Sequence, residues 1–135
     1  MTAKDPAFDG KTVLIVDDER FARTLMREIC TQLGFFRILM AENGQQALET
    51  CRATGVDIVL SDLAMPGMDG LQLLEALRAG NGNPNDPDVP VVFLTGAATE
   101  AMLRRAMVVG VDRCIAKPPS IDRVRRSLRS ALATR

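Results

Sequence analysis

The strongest constraint on the fold is a pattern that recurs five times. A short apolar, β-rich run is followed each time by a stretch of helical periodicity. The runs are Thr12–Val16 ("TVLIV"), Phe36–Ala41 ("FRILMA"), Val56–Leu60 continuing to Asp62, Val91–Leu94, and Arg113–Ala116 ending at Lys117. They are apolar throughout rather than alternating, as in strands buried on both faces. That predicts a parallel sheet covered by helices, with α/β architecture.

The intervening stretches read as helices. Residues 20–33 carry a stripe of Ala22, Leu25, Met26, Ile29 and Leu33, closed by Gly34. Asn43-Gly44 opens a helix to about Thr54 that turns Ala47, Leu48 and Cys51 inward. Gly70–Arg78 aligns Leu71, Leu74 and Leu77, and residues 79–90 form a loop by composition. Ala98–Val109 is helical. Ser120 is placed to cap a last helix bearing Ile121, Val124, Leu128 and Leu132. On that helix Arg123, Arg125, Arg126 and Arg129 read as a solvated basic face.

Composition narrows the chemistry. The 135 residues suffice for one domain. With no histidine, Ser/His and Cys/His catalysis are excluded, as are His-containing metal sites. Cys30, Cys51 and Cys114 lack C-x-x-C spacing and are expected to pack as small apolar side chains. Lys+Arg and Asp+Glu number 17 each, so nothing electrostatic calls for nucleic acid or a membrane surface. No apolar run approaches the ~20 residues of a membrane span, and the N-terminus lacks a signal-peptide core. A cytoplasmic protein is expected.

Ligands of an open parallel sheet bind beyond the carboxyl ends of its strands. Asp17 and Asp18 follow the first strand, Asp62 ends the third, Thr95 follows the fourth and Lys117 the fifth. Asp62 alone could simply start a turn; five polar residues on one edge point to a site. Like charges 4 Å apart cost about 4 kcal/mol at an effective dielectric near 20. A hard cation relieves that cost, and carboxylate oxygens suit Mg²⁺. With Lys117 and Thr95 added, the set suits a phosphoryl group, and one carboxylate can serve as nucleophile to give an aspartyl phosphate. No G-x-G-x-x-G follows the first strand and no Walker A motif is present, which sets dinucleotide and P-loop binding aside.

The segments "VLIVDDE", "SDLAMPGMDG", "FLTG" and "AKP" occur in that order. Together they make residues 11–132 resemble the receiver domain of two-component response regulators, in particular the stand-alone, chemotaxis-response-regulator-like kind. The resemblance implies a flavodoxin-like (βα)5 fold with a tail at 1–10 and the receiver domain at 11–135. It implies phosphorylation of Asp62 by a histidine kinase or histidine phosphotransfer protein. Asp18, Asp62 and the Ala64 carbonyl would hold Mg²⁺ directly, with Asp17 acting through water. Thr95 and Lys117 would bind the phosphoryl oxygens, and the peptide before Pro118 would be cis. Glu19, Phe21, Ala22 and Leu25 match positions that meet the phosphoryl donor. Leu103 and Met107, with nearby Cys114, are expected to form an apolar docking patch for a downstream protein target.

Two departures stand out. Cys114 occupies the position where the family usually has an aromatic switch residue, and the 79–90 loop is somewhat long. The expected role is a monomeric signalling module, not an enzyme. Two alternatives stay open. One is a pseudo-receiver that binds partners without phosphorylation. The other is a Mg²⁺-dependent aspartyl-nucleophile phosphatase, although Ala64 stands where such enzymes place a general acid.

Overall fold

The computed structural model describes residues 4–96, 100–109 and 113–135, without the side chains of residues 103, 106, 107 and 109. Five strands and five helices alternate: β1 Thr12–Val16, α1 Arg20–Leu33, β2 Arg37–Ala41, α2 Gly44–Ala53, β3 Ile58–Asp62, α3 Gly70–Arg78, β4 Val91–Thr95, α4 Glu100–Val109, β5 Cys114–Ala116 and α5 Ile121–Ala133. All strand pairs are parallel, in the order β2-β1-β3-β4-β5. The expected doubly wound α/β sheet is present.

Strand alternation divides the core into two layers. Leu14, Val16, Val59 and Phe93 face Ala47, Leu48, Leu71, Leu74 and Leu77 of α2 and α3. Val13, Ile15, Ile58, Leu60, Val92 and Leu94 face Met26, Ile29, Leu33, Val124 and Leu128 of α1 and α5. The three inner strands are covered on both sides, as their unbroken apolar runs require.

The edge strands depart from that expectation. In β2, Arg37 and Met40 are exposed, and in β5 only Ile115 is buried. An edge strand has one strand neighbour, and the helices do not reach fully across it. Cys114 is therefore exposed, contrary to the expected packed cysteine, while Cys30 and Cys51 are buried. Burial pushes the Cys30 thiol up to about 12; burial and the Asp86 charge push Cys51 up to about 11. Partial desolvation at the sheet edge raises the Cys114 thiol as well, exposed though the residue is.

Local signals hold at most helix ends. Gly34 ends α1 in the left-handed region at φ 94°, Asn43 caps α2, and the Ser120 hydroxyl accepts from the Arg123 amide. Asp69 and Gln72 form a reciprocal capping box at the start of α3, which fixes where the loop after β3 ends. Residues 5–8 pack on the body of the fold: Phe8 is fully buried and stacks on Phe35 at 4.6 Å between centroids. The expected start of the fourth helix at Ala98 lies outside the described residues, as do the side chains of Leu103 and Met107.

Candidate functional site

Strand register builds the site. Val16 lies beside Ser61, Asp62 beside Leu94, and Thr95 beside Ala116. The chain segments that follow these pairs therefore emerge on one edge in a row. Asp17 and Asp62 are buried, and Asp18 is exposed. One carboxylate oxygen from each lies within 4.8 Å of the other two. Lys117 reaches in from beyond β5, with its Nζ 3.1 Å from Asp17 Oδ2 and 3.3 Å from Asp62 Oδ2. Its backbone N–H donates to the Thr95 carbonyl, and its peptide bond to Pro118 is cis.

The electrostatics are unbalanced. Three carboxylates against one ammonium leave an excess of negative charge. Burial pushes the Asp62 carboxyl up; the Lys117 charge pulls it back, but the Asp17 charge pushes it further, and the net shift is upward. For Lys117, burial alone would lower the pKa. The hydrogen bond that Lys117 donates to Asp17 and the charges of Asp62 and Asp17 outweigh it, and the shift is also upward. Both groups hold their protons more tightly, Asp62 because it is buried and Lys117 because carboxylates surround it.

Thr95 Oγ1 is buried and has no hydrogen-bond partner among the described residues. An unmade bond of this kind costs about 1–3 kcal/mol. A hydroxyl held without a partner beside excess negative charge suits a ligand that brings acceptor oxygens together with a cation. The oxygen-only carboxylate set fits a hard divalent ion such as Mg²⁺.

The loop after β3 is set by glycine. A Cβ on Gly70 would meet the Asp62 carbonyl oxygen at 2.5 Å and a Phe93 ring carbon at 2.7 Å. The Gly70 N–H donates to the Leu63 carbonyl at 2.9 Å, so the loop returns to the base of Asp62. Gly67, at φ 73° after Pro66, supplies the turn. The Ala64 N–H lies 3.4 Å from Asp62 Oδ1.

Beside the site is a groove of ≈ 320 Å³ lined by Phe21, Ala22, Leu25, Leu94, Pro118 and Pro119, among others. Phe21 is 80% and Leu25 38% exposed, so Leu25 belongs to this surface and not to the core stripe in which the sequence pattern placed it. Glu19 also lines the groove.

Sequence reasoning missed Arg23. Its Nη1 donates to the Asp17 carbonyl at 2.8 Å, and its Nη2 lies 3.6 Å from Glu42 Oε1. The available signal was its place one helical turn past Glu19, which returns an α1 side chain to the strand end.

Residues 13–129 match the family described as response regulator receiver domain. The chain is 35% identical over 116 residues to the probable chemotaxis protein CheY of Rhizobium etli, covering 86% of this chain and 88% of that protein. It is 34% identical over 119 residues to chemotaxis protein CheY of Listeria monocytogenes, covering 88% and 96%. A solved structure of chemotaxis protein CheY4 from Vibrio cholerae matches with a TM-score of 0.79 over 91% of this chain and 99% of that one. At 24% identity that likeness speaks for the fold alone.

Proposed function

The chain belongs to the response regulator receiver domain family, and we propose that it accepts a phosphoryl group on Asp62 in a Mg²⁺-dependent reaction and thereby switches its binding to a partner protein. The observation that carries this reading is the three-carboxylate cluster with Lys117 as its cation, next to the partnerless Thr95 hydroxyl.

A phosphohistidine of a histidine kinase or histidine phosphotransfer protein is the donor. An Asp62 carboxylate oxygen attacks phosphorus, the P–O bond forms, the P–N bond breaks, and the departing imidazole nitrogen keeps the electron pair and takes a proton from water. The groove of Phe21, Ala22, Leu25 and Pro118 lies beside Asp62 and gives the donor's apolar surface a place to rest. Asp17, Asp18, Asp62 and the Ala64 carbonyl would hold Mg²⁺. Bound there, it offsets the charge of the phosphoryl oxygens and of the carboxylates. Lys117 orients one phosphoryl oxygen by charge, and Thr95 donates its free hydroxyl to another. Both residues follow from the ends of neighbouring strands, so capture of the phosphoryl group pulls β4 and β5 toward Asp62. Cys114 is exposed on β5, so the change is carried by Thr95 and α4 without an aromatic ring.

Incubation with acetyl phosphate and Mg²⁺ should add a single base-labile phosphoryl group, read by intact mass. Asp62→Asn should lower that yield at least ~100-fold, the scale on which loss of a reacting group acts. Equal labelling of the variant, or full labelling in excess EDTA, overturns the reading.

A further inference from the structure

Asp18 is the exposed member of the acidic cluster, and no hydrogen bond or ion pair holds its carboxylate among the described residues. Asp17 is held by Lys117 and by the Glu19 N–H, which donates to Asp17 Oδ1 at 2.9 Å. Asp62 is held by Lys117 and by the Ala64 N–H. The position of Asp18 therefore depends on the backbone that carries it, the Asp17–Asp18 peptide. The carbonyl of that peptide accepts from Arg23 Nη1.

We propose that Arg23 is a positioning residue for the cation site: its guanidinium fixes the Asp17 carbonyl and thereby aims the Asp18 carboxylate into the cluster. The inference rests on reading the cluster as a Mg²⁺ site.

Three features support a positioning role over a surface charge. The Arg23 side chain is only 13% exposed, so its planar fork is committed to one geometry. The fork ties the end of β1 to the turn after β2, where Glu42 sits, and so braces the loop from two strands. Glu42 also offsets the guanidinium charge, which would otherwise oppose a cation nearby. The arrangement delivers a hydrogen bond to the site without delivering much positive potential. Partners that orient metal ligands in this way change metal affinity without touching the metal.

A positioning role and a purely electrostatic one predict opposite signs. Calorimetric titration of the full chain with MgCl₂ should show Arg23→Ala binding more weakly, on the order of 10-fold. Arg23→Lys, which keeps a donor on a flexible stem, should recover part of the loss. Amide spectra should show shifts at Asp17 and Asp18, with β4 and β5 unmoved. Tighter binding by Arg23→Ala would mean that the charge, not the hydrogen bond, is felt at the site, and would overturn the inference. So would unchanged affinity, or weaker binding accompanied by shifts spread across the sheet. If the parent chain itself fails to bind Mg²⁺, the metal reading falls, and the amide shifts of Arg23→Ala at Asp18 still test the brace.

Discussion

Asp57 and Asp62 stand at the two ends of the same strand, in opposite electrostatic settings. Asp57 Oδ2 accepts from the Thr12 N–H at 2.7 Å, and Arg135 donates to the Asp57 carbonyl. Around it Arg135 pairs with Asp86, and Arg129 pairs with Asp5 at 3.1 Å. Each of these acids has a cation or an N–H of its own. At the other end Asp17 and Asp62 share Lys117, and among the described residues neither the Asp18 carboxylate nor the Thr95 hydroxyl has a partner. Both ends are rich in charge, but only one leaves it uncompensated. Charge matched within the chain closes a fold; charge left unmatched in a buried pocket is held open for something from outside.

The largest expected effect tests how tightly the unmatched end is built. Gly70→Ala places a methyl group against the Asp62 carbonyl and the Phe93 ring. It should cost about 3 kcal/mol, the upper end for overpacking, in chemical denaturation. A loss well under that would mean the loop below Asp62 can yield.

Next, Asp57→Ala should destabilise the fold by about 2 kcal/mol, since it leaves the buried Thr12 N–H without its acceptor. Labelling by acetyl phosphate should be unchanged. If labelling falls in step with stability, the two ends of β3 are not independent and the contrast between them fails.

Lys117→Ala should lower stability by about 1 kcal/mol in EDTA, between the values for exposed and buried pairs. Mg²⁺ should then raise the melting temperature of the variant more than that of the parent, because the ion replaces the missing cation. Equal shifts in both would show that Lys117 does not share the cation's place.

The smallest effect concerns the covered middle of the sheet against its open edge. At pH 8 a soluble maleimide should label one thiol rapidly, Cys114, and three after denaturation. Raising the pH to 9.5 should speed Cys114. Cys30 and Cys51 should stay silent, since their thiols are held at about 12 and about 11 and are buried. Three native thiols reacting together would mean that the middle opens as readily as the edge.

The sequence by itself determined the five strand–helix units and the edge on which the polar residues gather. Both follow from local rules: apolar runs without alternation make buried parallel strands, and parallel strands send all their carboxyl ends one way. Asp17, Asp18, Asp62, Thr95 and Lys117 were legible because each directly ends or follows such a run. Tertiary structure decided which of them meet. The order β2-β1-β3-β4-β5 sets Asp17 beside Asp62 and brings Lys117 to both, across 100 positions of sequence in the case of Asp17. It also put β2 and β5 at the edges, exposing Met40 and Cys114, and turned Leu25 outward beside the site. Arg23 and Gly70 acquired their tasks in the same way. A guanidinium on a carbonyl and a missing Cβ against a backbone oxygen depend on distances between chain segments, and those distances exist only once strand order and helix packing are set.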